Sequence, residues 1–254
     1  MWMWMWMWII GCGPPEPAPA ELGRLSRFFF RELESGDDAL LGEGLANLDT
    51  LLDEIDLDGG RGDRSYSLPL LEGEDVEVTS PDRPLTDCIG LSLAARSRWS
   101  VSDHASYQSL SDLTGASPDT TSFLRSFTGE RDCFADRSCT VLRTVNSVVR
   151  ENRLATITFE AHKDYHWVYS EAVGWAMIAR GWTPEPSHGT EGENHIWQHF
   201  EIDVFIPDGQ TTRRYFGVWT EPDYDAIDAE TAGNFLLGNI DDTIRHVDEW
   251  LDGD

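Results

Sequence analysis

Positive charge is scarce in this sequence. Its 254 residues include 19 Lys and Arg against 46 Asp and Glu, a formal charge of -27, and Lys163 is the one lysine. Such a chain repels phosphate backbones, which argues against nucleic acid as a partner. A polybasic membrane-surface patch is excluded as well. Cysteine is scarce too: there are four, and none are spaced Cys-x-x-Cys, so a structural zinc site is not expected. The opening apolar run, residues 1–10, is about half the roughly 20 residues that a spanning helix needs. Apolar mass is what the chain does have. Hydrophobic residues make up 40% and aromatics 11%, with 11 Trp, enough for a sizeable core. The length suits one domain, or a domain with a helical extension.

Residues 1–10 have the length of a secretory signal's apolar core, roughly 7–15 residues. The Ile9-Ile10-Gly11-Cys12 string that ends the run resembles a bacterial lipobox. The resemblance implies cleavage before Cys12, lipidation (palmitate included) of its thiol, and a lipoprotein held at a bilayer. Residues 13–20 are rich in Pro and read as an extended tether. A signal normally begins with Lys or Arg, and none stands before Cys12. A start further upstream, or an expression scar, is the alternative reading. By the sorting rule of enterobacterial lipoproteins, Gly13 rather than Asp favours the outer membrane over the inner. The expected division is 1–11 signal, 12–21 tether, 22–84 acidic helical pair and loop, and 85–254 sheet domain.

With Cys12 lipidated, Cys88, Cys133 and Cys139 remain. Export implies an oxidising compartment. Cys133 and Cys139 bracket a short loop that a disulfide would close, leaving Cys88 a buried free thiol. Pairing of Cys88 with either of the others is equally open from sequence.

Helical spacing runs through residues 21–58. Leu41, Leu45, Leu48, Leu52 and Ile55 form a one-sided stripe, and Gly36-Asp37-Asp38 divides the segment into an antiparallel pair. A short strand is expected around residues 76–78, another at 89–93, and a short helix capped near Ser102-Asp103-His104. Five strand-like runs follow: 141–149, 154–161 with 167–169, 174–182, 195–206 and 213–220. In 195–206, Ile196, Phe200, Ile202, Val204 and Ile206 face one way, with Gln198 interrupting. His195, Trp197, His199, Glu201 and Asp203 face the other. A final helix over 231–252 carries the stripe Phe235, Leu236, Ile240, Ile244, Val247, Leu251, with Thr231 as its cap.

These strings predict an α+β fold. An antiparallel, curved sheet of five to six strands is covered by a long C-terminal helix and preceded by an N-terminal helical pair. The element order over 88–254 resembles that of START-like helix-grip domains, which implies a sheet wrapped round a helix with an apolar cavity between. A cystatin-like or NTF2-like cone sheet fits the same strings nearly as well. Arg131-Asp132-Cys133-Phe134, Lys163-Asp164-Tyr165-His166-Trp167-Val168 and Ile202-Asp203-Val204-Phe205-Ile206 resemble segments of uncharacterised secreted lipoproteins of myxobacteria. That likeness implies location and no activity.

Chemistry-bearing patterns are weak. His162/His166 and His195/His199 have the spacing that chelates a metal on a helix. Both pairs fall on strand-like segments, where four residues span roughly 13 Å. Glu54, Asp56, Asp58 and Gly59 resemble part of a calcium loop, but the later bidentate acid is replaced by Ser65. Gly90-Leu91-Ser92-Leu93-Ala94 is a faint nucleophile elbow without a discriminating Asp/His set, and Arg61-Gly62-Asp63 is a chance tripeptide. No catalytic residue, metal or cofactor is expected. Binding candidates are Trp167, Trp175, Trp197, Trp219, His195 and His199, for which ordinary core packing is the competing account.

Two function classes remain. One is a non-enzymatic envelope lipoprotein that holds an apolar or amphipathic small ligand between sheet and helix. The other is a structural lipoprotein that meets an envelope protein and has no cavity. Charge is uneven along the chain. Residues 31–58 and 221–254 hold 10 and 11 acids with one Arg each, whereas 131–219 holds 12 acids and 9 bases. An acidic shell of this kind repels itself, so the melting temperature should rise from low to high NaCl. A flat or falling melting temperature would contradict the shell.

Overall fold

The computed structural model describes residues 16–34, 37–77, 83–117, 119–151, 156–189, 194–224 and 229–253. The signal segment, the lipobox and Cys12 lie outside the described residues. Two helices open the fold, α1 (Leu22–Glu32) and α2 (Asp38–Asp53). The Glu21 carboxylate caps α1 by accepting the Gly23 and Arg24 N–H groups, and Asp37 caps α2 by accepting that of Leu40.

Among the described residues nine antiparallel strands follow: β1 (Ser65–Ser67), β2 (Ile89–Ser97), β3 (Thr120–Thr128), β4 (Val141–Glu151), β5 (Thr156–Ser170), β6 (Gly174–Trp182), β7 (His188–Gly189), β8 (Asn194–Asp208) and β9 (Thr211–Tyr224). They form one sheet in the order β1-β2-β9-β8-β6-β5-β4-β3, with β7 beside β5. Between β2 and β3 stands α3 (Val101–Gln108), and between β3 and β4 the single turn α4 (Asp132–Ala135). The chain closes with α5 (Ala229–Leu251). The α+β class, the curved sheet, the N-terminal helices and the long last helix are as expected.

The strand count is higher than the expected five to six, for physical reasons. Strands β1 and β7 have three and two residues, too few to show alternation. Strand β3 places Arg125 between Phe123 and Phe127 on its inward face, so a charge stands where a period of two demands an apolar side chain. No strand forms at 76–77. Val76 instead follows a 3-10 turn, Gly73–Asp75, whose Glu72 and Asp75 cap one another. The cap of α3 is Ser100, not Ser102, because Asp103 completes a reciprocal capping box with Ser100.

The larger correction concerns which layer covers which face. The apolar side of β8, with Phe200, Ile202, Val204 and Ile206, packs under α1 and α2 and not under α5. Phe30 sits edge-on to Phe200 and Trp219, with ring centroids 5.9 and 6.0 Å away. Phe28 and Phe29 press on α2 at Gly44, where a Cβ would stand 2.9 Å from the Phe28 ring. The final helix lays Ile240 and Ile244 on the opposite face, against Leu93, Ala95 and Val218 of β2 and β9. Its last turns pack Trp250 on Tyr107, and Asp248 accepts hydrogen bonds from Ser97 Oγ (2.6 Å) and the Arg98 N–H (3.1 Å).

Truncating Phe30 removes a fully buried ring from the outer face. Phe30→Ala should cost about 3–5 kcal/mol in urea unfolding, as for other large-to-small changes of core aromatics. A loss under about 1 kcal/mol would show that the N-terminal helices do not cover the sheet.

Candidate functional site

The inner face of the sheet does not close completely on α5. A cavity of about 310 Å³ lies between them, at the lower end of the range of small-molecule sites, about 300–1,000 Å³. Its apolar wall comes from Val148, Ile157, Phe159 and Ala161 of β4 and β5, and from Ile196, Phe216 and Val218 of β8 and β9. The helix contributes Phe235, Leu236, Ile240 and Ile244. The floor is polar, made by Gln108, Arg125, Asn146, Lys163, His199, Glu201 and Arg214.

Cross-strand register builds that floor. Lys163 pairs with Gly181, and Gly181 with Glu201, so the three residues form one row across β5, β6 and β8. A Cβ at Gly181 would lie 2.7 Å from the Glu201 carboxylate. The glycine therefore lets Lys163 and Glu201 meet over the middle strand, at 2.6 Å. His199 Nε2 approaches the other carboxylate oxygen at 3.3 Å. Burial alone would raise the Glu201 pKa, but the Lys163 ammonium and His199 outweigh it and hold the carboxyl below its usual range. Lys163 is displaced upward: burial opposes its charge and Glu201 more than restores it. Beside this pair, the Arg214 fork donates two hydrogen bonds to the fully buried Asp203, at 2.8 and 2.6 Å. The Lys163–Glu201 and Arg214–Asp203 pairs are thus internally neutral.

Deeper under α3, His104 is buried, hydrogen-bonded to Ser97 Oγ at 2.8 Å, and burial with nearby Arg214 lowers its pKa to about 3. Cys88 is a buried free thiol whose pKa burial raises to about 12, with Glu221 and Asp87 adding to the shift. Cys133 and Cys139 form a disulfide. The loop it closes carries Phe134, buried against Tyr165 and Trp167, and Trp167 Nε1 donates to the Phe134 carbonyl at 2.8 Å.

The structure distributes the sequence-derived candidates widely. His199 lines the cavity. Trp167 lies in the core under α3 and α4, and Trp219 in the outer core, where its Nε1 donates to the Pro69 carbonyl. Trp175 is 38% exposed at the β5–β6 hairpin, beside the exposed Tyr169. Trp197 is the extra residue of a bulge between Ile196 and Gln198, with the Arg83 guanidinium 4.6 Å over its ring. That bulge explains the interruption at Gln198: it turns Ile196 inward and leaves Gln198, Phe200 and Ile202 outward. His195 pairs with Asp223 in the strand register, and its side chain lies outside the described residues. Among the described residues no group of three or more His, Cys, Asp and Glu could hold a metal, including at His162/His166 and at Glu54–Gly59. Gly90-Leu91-Ser92 lies inside the continuous strand β2, not at a strand–turn–helix elbow.

The floor residues Arg125, Lys163, Glu201 and Arg214 were not singled out from sequence as a site. One signal was available. The sole lysine of an acidic chain stands in mid-strand, where lysine is disfavoured unless it has a partner.

No protein-family model matches the chain, and no curated protein matches it. Three solved structures are similar to it at low scores. TTHA0849 from Thermus thermophilus is 11% identical, with a TM-score of 0.42 over 63% of this chain and 94% of that one. Ara h 8.0201 is 8% identical, with a TM-score of 0.41 over 66% and 99%. Mll3558 protein from Rhizobium loti is 10% identical, with a TM-score of 0.29 over 63% and 96%. Likenesses at these scores carry no argument about function, which must come from the cavity itself.

Lys163→Met would leave Glu201 buried without its ammonium. It should cost about 3–5 kcal/mol at pH 7, and Lys163→Met with Glu201→Gln should recover more than half of that loss. Chemical denaturation of the four proteins measures the cycle. Equal losses in the single and double variants would contradict the pairing. His104 supplies the pH test. Its folded pKa lies below the unfolded value of about 6.5, so its contribution is complete above that pH and is lost as pH falls towards 3. His104→Gln should flatten the stability–pH curve across that window; an unchanged slope would contradict a buried neutral imidazole.

Proposed function

We propose that this protein is a lipoprotein held at the cell envelope, at the outer membrane, through Cys12, and that it takes up an apolar or amphipathic small molecule between sheet and helix without catalysis. The observation that carries the binding reading is the cavity of about 310 Å³, apolar on its walls and ionic at its floor. A core evolved for stability alone closes such a space, because unfilled volume forfeits packing at roughly 24 cal/mol per Å³. Anchoring rests on the lipobox-like string and the Pro-rich residues after it.

The rival reading, a structural lipoprotein that docks an envelope protein, predicts a solid core and a broad exposed aromatic face. The cavity counts against it, and among the described residues the exposed aromatics are the pair Tyr169 and Trp175, with Phe235 on α5.

Native mass spectrometry of protein extracted from its own membrane is the direct test. The expected result is a bound small-molecule mass that collisional activation releases. Ala161→Trp, which fills the cavity from β5, should abolish that mass while leaving the circular-dichroism spectrum unchanged. Protein that leaves the membrane without a bound mass would overturn the binding reading.

A further inference from the structure

We infer that the cavity selects a ligand with a single negative charge, a carboxylate on an apolar tail, and that Arg125 receives that charge. The inference deepens the binding reading above and rests on it.

Three arginines are buried among the described residues: Arg125, Arg180 and Arg214. Arg180 donates to Asp164 at 2.9 Å and to Glu34 at 3.2 Å, and Arg214 is held by Asp203. Arg125 is 7% exposed, and among the described residues no carboxylate forms an ion pair with it. Its hydrogen bonds all go to neutral acceptors. Nε donates to Asn146 Oδ1 at 2.6 Å, Nη1 to the carbonyl and the Oε1 of Gln108, and Nη2 to Tyr165 Oη at 3.3 Å. The Phe123 and Tyr165 rings lie against it at 5.3 and 5.8 Å. These contacts orient the guanidinium and soften its burial, but they do not neutralise it.

The contrast with the rest of the chain gives this its force. A protein with 46 acids supplies carboxylates to its other buried guanidiniums, and at the cavity floor it supplies one too few. Lys163, Arg214 and Arg125 stand there with Glu201 and Asp203, a surplus of one positive charge. Of the other charges on the cavity wall, Asp119 and Asp242 are exposed, where water screens them, and Arg150 is half-buried. One surplus charge matches a monoanion.

The donors fit as well. A guanidinium has five N–H groups, and four are engaged, which leaves one on Nη2. The Gln108 amide accepts through Oε1 from both Arg125 and Tyr165, which keeps its NH₂ group as a second donor on a residue that lines the cavity. A carboxylate with its two oxygens takes both. The apolar walls from Val148 to Val218 then receive the tail.

Calorimetric titration of the full chain with decanoate, decan-1-ol and decyltrimethylammonium, one tail with three head groups, tests the inference. Decanoate should bind about 10- to 100-fold more tightly than the alcohol, and the cation more weakly than either. Arg125→Gln should weaken decanoate about 10- to 100-fold and leave the alcohol unchanged, with Arg125→Lys between wild type and Arg125→Gln. Alcohol binding as tightly as the acid, or an Arg125→Gln loss equal for both, overturns the inference and leaves the cavity reading standing. Binding of none of the three overturns the cavity reading and this inference with it. The head-group series in the wild type decides even if Arg125→Gln fails to fold.

Discussion

Phe28, Phe29 and Phe30 are consecutive residues of one helix, and all three are buried. A helix can bury neighbours one residue apart only when it is wedged between two layers. Here α1 is gripped between the sheet, which Phe30 meets, and α2, which Phe28 and Phe29 meet at Gly44. This packing makes the outer face of β2, β9, β8 and β6 a dry core with Trp219, Phe200 and Ile202 at its centre. The stability that burial supplies there frees the inner face from having to close on α5. The cavity, its charged floor and the long helix above it all depend on that division of labour.

Arginine links the two layers. Arg213 of β9 reaches Asp49 and Asp53 on α2, Arg180 of β6 reaches Glu34, and Arg27 ties α1 to Glu72 and Asp75. Asp49, Asp53 and Glu34 of the acidic helical segment are therefore matched by guanidiniums from the sheet. Near-absence of lysine is consistent with this arrangement, since a planar fork holds carboxylates in a fixed geometry and a flexible ammonium does not. The exception is Lys163, whose compact charge fits the narrow space over Gly181. At the cavity floor the same economy of charge is left one carboxylate short, at Arg125.

Much of this was legible in the sequence. The strand run 174–182 agrees with β6 to the residue, and the one-sided stripes of α2 and α5 identify both helices. The alternation in 195–206 gives the two faces of β8 correctly past the bulge. What alternation does not carry is which layer lies on which face. An apolar side of β8 is equally satisfied by a helix before it in the chain or after it, and His199 and Glu201 of its polar side line the cavity. The floor was hidden for a related reason. Arg125 breaks the pattern of β3 so thoroughly that the strand itself is lost to periodicity. Gly181 carries no signal of its own within the run 174–182, yet it is the gap over which Lys163 reaches Glu201. These positions at the cavity floor obscured the local signal because they depart from it.

The most direct test of a stable outer core bearing a ligand-filled inner face is a crystal structure of the protein purified from its native source without refolding. Continuous electron density between α5 and strands β8 and β9, ending in a polar group within hydrogen-bond distance of Arg125, is the predicted result. An inner face on which α5 has collapsed, or one filled only by discrete waters, would contradict it.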